Sequence, residues 1–113
     1  LSYLHTISAG DTTFERMVLL AAVDDITVQI EKLGIAFKEK DGALVKRIAH
    51  SLKAVVAIAG LSNLETVCWE IDKLFRDEKY HENGITYFEN LVNEWDMSTP
   101  IFEEMIADNY PQF

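Results

Sequence analysis

One histidine in this chain stands where its ring could do chemistry. His50 lies in the segment Ala43 to Ala59, whose apolar residues recur at helical spacing. Projected at about 100° per residue, Leu44, Ile48, Leu52, Val55 and Ala59 fall within about 80° of arc, with Val45 and Val56 at its edge. His50 falls about 180° from the centre of that cluster, so it points outward rather than into a core. Ala43, Ala54 and Ala57 share its row, Lys46 and Arg47 lie one turn below, and Lys53 lies one turn above. Small neighbours leave the imidazole open to a bulky partner. The cations would stabilise a negative group placed on the ring, such as a phosphoryl. The competing account is a surface histidine set among Lys and Arg for solubility, which is the commoner meaning of such a pattern.

Other reactive residue types are less favourably placed. His5, His50 and His81 share no metal-ligand spacing, and Cys68 is the one thiol. Cys68 lies on an apolar stripe with Leu64 and Ile71, which reads as a small core residue rather than a nucleophile. His81 follows Tyr80 in a polar turn and reads as a solvated loop residue. Asp24 and Asp25 are adjacent and splay apart on a helix, which makes a poor acid–base pair. Glu103 and Glu104 read as a solvated face. Trp69 and Trp95 fit partial burial at a bundle edge, with a partner anchor as the alternative.

The elements that position His50 are helices. Thr12 with Glu15 has capping-box spacing, and Asp11 is an alternative cap. The helix that follows carries Leu19, Val23, Ile26, Ile30, Leu33 and Phe37 on one stripe. Phe14, Met17, Val18 and Ala21 give its first half a second apolar face, predicting deeper burial there. A turn at Glu39-Lys40-Asp41-Gly42 leads into the His50 helix, which stops at Gly60, suited to a left-handed C-terminal cap. Ser62-Asn63-Leu64-Glu65 predicts a second capping box, opening a helix with Leu64, Val67, Cys68, Ile71, Leu74 and Phe75 on one face. Asn83-Gly84 breaks the chain again. A helix bearing Ile85, Phe88, Leu91, Val92 and Trp95 follows, which Pro100 is expected to interrupt or kink, leaving Ile101, Phe102, Met105 and Ile106 on a last short piece. The expectation is one all-α domain over residues 1–113: an antiparallel up-down-up-down four-helix bundle with short additional terminal helices, one of them near Ser2 to Ser8.

Composition narrows the function classes. The 113 residues are 49% hydrophobic and 26% charged, which suits one globular core and excludes a disordered chain. Ten Lys and Arg against nineteen Asp and Glu give a formal net charge of −9, which disfavours nucleic acid and anionic membrane surfaces. The charge is uneven: residues 38–53 hold five cations and two acids, while Glu82 to Phe113 hold seven acids and no Lys or Arg. A lone Cys excludes an internal disulfide framework and fits a reducing compartment. The apolar runs Met17 to Val23 and Ala54 to Ala59 fall far short of the roughly 20 residues of a membrane helix. No basic segment precedes an apolar stretch at the start, so no signal peptide is expected.

The run Ala49-His50-Ser51-Leu52-Lys53-Ala54, continuing to Ala59-Gly60-Leu61, resembles the His-x-Leu-Lys-Gly motif and following Gly-Leu break of the histidine-containing phosphotransfer (HPt) domain of two-component phosphorelays. Gly10-Asp11-Thr12-Thr13-Phe14 is similar to that family's Gly-Asp-x-x-Phe opening of its long second helix. The resemblance covers about residues 1–95 and is most specific from His50 to Leu61. It implies a phosphocarrier that accepts a phosphoryl group from an aspartyl phosphate on one receiver domain and donates it to an aspartate on another. His50 would be the phosphorylated nucleophile and Lys53 would offset the phosphoryl charge, with Arg47, Ala54, Ala57, Asp72 and Arg76 as binding residues. Two of these depart from the family pattern: Ala54 stands where the family has Gly, and Asp72 where Gln or Glu is usual.

The partners implied are response-regulator receiver domains and a hybrid sensor histidine kinase. Neither nucleic acid nor membrane insertion is implied. A monomer is expected, located in the cytoplasm, either free-standing or as a domain of a membrane-anchored hybrid kinase. With no Walker-type loop or kinase motif set, no autonomous kinase activity and no cofactor or metal of its own are expected, Mg²⁺ being supplied by the receiver. Leu20 and Val28 are candidates for the docking patch, with packing against residues 2–8 the alternative for Leu20. Two other readings stay open: a helical adaptor that binds a receiver or kinase domain without being phosphorylated, and an unrelated interaction module in which His50 is incidental.

Overall fold

The computed structural model describes residues 10–110, which form four helices and no strand. We number them α1 (Thr12–Lys38), α2 (Gly42–Ile58), α3 (Ser62–Leu74) and α4 (Gly84–Asn109). Each packs against the next, and α4 returns to α1. His5 and the helix expected near Ser2 to Ser8 lie outside the described residues.

The helix ends show how short connections hold α2 between its neighbours. Helix α1 ends with Lys40 in the left-handed region (φ 55°), where the Asp41 N–H donates to the Ala36 carbonyl at 3.0 Å. Asp41 then caps α2, its carboxylate accepting from the Leu44 N–H at 3.1 Å. Gly42 has no room for a side chain, because a Cβ would lie 2.4 Å from the carbonyl carbon of Lys79. The first turn of α2 therefore rests directly on the chain that leaves α3. At the far end, Gly60 (φ 76°) donates to Ala57 at 3.1 Å and Leu61 to Val56 at 3.0 Å, closing the left-handed cap expected there.

Two predicted capping boxes do not form. At α1 the cap is Asp11, which accepts from the Phe14 N–H at 3.0 Å, and Glu15 is fully buried, accepting from the Tyr110 hydroxyl at 3.3 Å. At α3 the Gly60–Leu61 turn runs straight into the helix, so Ser62 is already helical and cannot cap; the Thr66 hydroxyl donates to its carbonyl at 3.0 Å. Helix α4 runs unbroken through Pro100, so there is no separate last piece. The missing N–H of Pro100 would have bonded the carbonyl of Asp96, and both residues are exposed to water. The Thr99 hydroxyl bonds the Trp95 carbonyl one turn before.

The main core joins Ile26, Ile30, Leu33 and Phe37 of α1, Val45, Ile48, Ala49, Leu52 and Val56 of α2, Leu64, Cys68 and Ile71 of α3, Phe75, and Leu91 and Trp95 of α4. A second cluster under the bundle end joins Leu19 and Ala22 to Ala59, Phe102, Ile106 and Tyr110. The buried face of α2 is turned by about 50° from the predicted stripe, with Leu44 and Val55 half-buried and Ala49 fully buried. The cause is that α2 is flanked by α1 on one side and α3 on the other, so it buries both flanks. Trp95 is not at an edge: it is 6% exposed, and its indole N–H donates to the Thr27 hydroxyl at 3.3 Å. Phe14 and Met17 are exposed, against the deeper burial expected, because no described element covers that face of α1.

Candidate functional site at His50

Turning α2 brings the flank that bears Lys46, Ala49 and Lys53 against α3, and His50 stands beside that seam. Its side chain is 72% exposed, as its projection predicted. Asp72 reaches it from the facing turn of α3, with Oδ2 3.3 Å from His50 Nδ1. The same oxygen accepts from the Lys53 ammonium at 2.5 Å. Lys53 and Asp72 are largely buried, whereas the ring they hold is not.

The ionisation state of Asp72 decides which ring nitrogen is free. Burial alone would favour the neutral acid, but the hydrogen bonds from Lys53 and His50, reinforced by their charge, hold the carboxyl below its usual range. An ionised carboxylate only accepts, so His50 Nδ1 must donate. In the neutral ring the remaining lone pair then sits on Nε2. Nε2 has no hydrogen-bond partner among the described residues, and the side chain is 72% exposed. A nucleophilic nitrogen is thus left unbound on an exposed ring held at Nδ1.

The surroundings are cationic. A shallow groove beside the ring is lined by Ala43, Lys46, Arg47, His50, Ser51 and Glu78. Arg47 also lines a second groove with Gln29, Lys32, Ile35, Leu44, Ile48 and Ser51, which carries the surface across to α1. Ala54 and Ala57 are exposed further along α2. Lys46 is paired with Glu78 at 3.3 Å and Lys53 with Asp72 at 2.5 Å, whereas Arg47 has no ion pair among the described residues. Such a site can hold one anionic group on the imidazole.

Not every predicted residue is gathered here. Arg76 lies past the end of α3, exposed, and its side chain makes no hydrogen bond or ion pair among the described residues. Leu20 and Val28 are exposed, but the wall of the neighbouring groove on α1 is built by Gln29, Lys32 and Ile35 instead. Trp69 is 53% exposed and carries the Lys53 ammonium 3.7 Å above its ring centroid, a role its reading as an edge residue missed. The available signal was its position three residues before Asp72 on the same helix face. Cys68 is fully buried, and burial pushes its thiol up to about 12, as befits an inert core residue. His81 is less solvated than its turn suggested, because Asp77 binds its Nε2 at 2.9 Å and its ring stands edge-on to Phe75.

The described residues form a helical module that carries an exposed histidine anchored by a carboxylate, with cations in the adjoining groove. The Hpt domain family matches residues 17–98, and the chain belongs to that family, whose work is histidine-containing phosphotransfer in two-component signalling. No curated protein and no solved structure matches the chain. No helix among the described residues is long and apolar enough to cross a membrane.

Proposed function

We propose that this domain is a phosphorelay carrier in which His50 Nε2 accepts a phosphoryl group from a receiver-domain aspartate and passes it to another. The observation that carries this reading is the division of labour on the ring: Nδ1 is bound to ionised Asp72, and Nε2 is unpartnered among the described residues on a ring that shares its groove with Lys46 and Arg47. In the forward step the Nε2 lone pair forms the N–P bond as the acyl phosphate O–P bond breaks. The leaving carboxylate keeps the bonding pair. The ring becomes a phosphoimidazolium whose positive charge is shared through Nδ1–H with Asp72. The reverse step regenerates the neutral ring. Lys53 and Arg47 offset the charge on the phosphoryl oxygens, and Mg²⁺ in the receiver's acidic pocket supplies the remaining neutralisation.

Short connections and packing between successive helices support an antiparallel up-down-up-down order within one domain, which in this reading works as a cytoplasmic monomer. Receivers and a hybrid kinase are the partners in this reading, with docking over α2 and the adjoining face of α1. The test is to mix the domain with phosphorylated receivers and Mg²⁺ and look for acid-labile, base-stable label. Label on the wild type that is absent from His50→Gln supports the site. Label surviving in His50→Gln excludes it, and binding without label on any receiver establishes the adaptor reading instead.

A further inference from the structure

We infer that Trp69 is a positioning residue for phosphoryl transfer, holding the Lys53 ammonium against the His50 site; the inference rests on the phosphocarrier reading. Lysine has a long flexible stem, and three residues after an exposed histidine its head would ordinarily stand in water. Here the Lys53 side chain is only 13% exposed. Its ammonium has two contacts from α3, the Asp72 carboxylate and the face of Trp69 at 3.7 Å from the ring centroid. Asp72 Oδ2 also takes the imidazole Nδ1, so ammonium and ring meet at one oxygen atom.

The two contacts do different work. A carboxylate that alone held Lys53 would compete with the incoming phosphoryl for its charge and its N–H groups. The indole face attracts a cation through its quadrupole and accepts none of the three N–H bonds in the usual sense. It therefore keeps the ammonium near the ring while leaving donors for phosphoryl oxygens. Packing does not account for the indole, because Trp69 is 53% exposed whereas Trp95 is buried in the core. Its exposure has a use if the ammonium must turn from Asp72 toward a phosphoryl on Nε2 without leaving the surface.

Phosphoramidate tests this without a docking partner. Nε2–P forms as the P–N bond breaks, and ammonia departs with the bonding pair and takes its proton from water. The rate of His50 phosphorylation is followed by ³¹P NMR, with His50→Gln as the blank and a thermal melt to show that each variant folds. Trp69→Ala should slow the reaction about fivefold, a loss comparable with one cation–π contact, and Trp69→Phe should restore it to within about twofold. Lys53→Ala should slow it at least as much, and Trp69→Ala added to Lys53→Ala should cost nothing further. The Lys53 side-chain protons should be shifted upfield by the indole in the wild type and should move when His50 is phosphorylated. A Trp69→Ala rate equal to wild type, a Trp69→Phe rate as low as Trp69→Ala, additive losses, or unmoved Lys53 signals would each overturn the inference and leave the carrier reading intact. Failure of the wild type to be labelled at His50 by either phosphoramidate or phosphorylated receivers overturns both.

Discussion

His81 and Asp77 sit one turn apart on a single stretch of chain, whereas His50 and Asp72 come from two different helices. Both aspartates have their acid range lowered by the imidazole they face, His81 being the chief cause at Asp77, while at Asp72 the bonds from Lys53 and His50 must first overcome burial. By the usual markers the local pair is the better one, with Nε2 2.9 and 3.1 Å from the two carboxylate oxygens. Yet that geometry spends Nε2 on Asp77, and the ring is turned edge-on to Phe75. At His50 the carboxylate takes Nδ1 and leaves Nε2 unbound, on a ring whose groove Lys46 and Arg47 also line. A carboxylate neighbour therefore says little by itself. What counts is which nitrogen stays unbound, and the sign of the surface it faces.

The largest effect separates the two histidines outright. His50→Gln should abolish acid-labile label, at least a hundredfold below wild type by the scale of losing a covalent nucleophile, while His81→Gln should label within about twofold. Phosphopeptide mapping that placed label on His81 would reverse the contrast.

The exposure of His50 was legible because helical periodicity orients a side chain whatever the partners of the helix turn out to be. The rotation of α2 was not, since it depends on α1 and α3 pressing on both flanks. Asp72 entered through resemblance to a family, because its 22-residue separation from His50 closes only when α3 lies against α2. Trp69 is half-exposed, in keeping with partial burial at an edge, but its contact with Lys53 was not legible for the same reason: nothing local shows the Lys53 head folding across the seam. At α1 the sequence offers both Thr12 and Asp11 as caps, and the extended backbone of Asp11 (φ −73°, ψ 98°) decides for the second. Pro100 looked like a stop because a proline's missing donor is a local fact, while the packing of Phe102 and Ile106 that keeps α4 running is not.

The next effect tests whether the His81 region is structural. Phe75 is fully buried and packs edge-on against Phe37 at 5.5 Å and against His81 at 5.4 Å. Phe75→Ala should cost about 3–5 kcal/mol in urea unfolding. Below the unfolding midpoint the variant should still accept label at His50. A loss under 1 kcal/mol would mean that the aromatic cluster is not what the His81 turn rests on.

A smaller effect compares the two carboxylates in catalysis. Asp72→Asn keeps the shape but removes the charge that compensates the phosphoimidazolium and the demand that Nδ1 donate. Transfer should slow about tenfold, equivalent to about 1.4 kcal/mol at the transition state. Asp77→Asn should leave the rate unchanged. Equal rates for both variants would reduce Asp72 to a packing partner of Lys53.

The smallest effect is on acid stability, and its direction follows from the lowered range of Asp72. Its ordinary value is 3.8, and in the fold it ionises more readily. The unfolded chain therefore takes up a proton at this site before the folded one does as pH falls. The stabilisation is complete above the unfolded value and is lost as pH drops through the folded one. Urea unfolding should show Asp72→Asn less stable than wild type by a constant amount, about 1 kcal/mol for a largely buried pair whose Lys53 is left without its counter-charge, at every pH from about 5 to 7. The gap should narrow steadily below about pH 4. Asp77 is also lowered, but its side chain is exposed and its interactions are screened by water, so its variant should give a curve nearly parallel to wild type. A gap for Asp72→Asn that widens toward acid would mean that the carboxylate resists ionisation in the fold. It could not then oblige Nδ1 to donate, and the availability of Nε2 would need another cause.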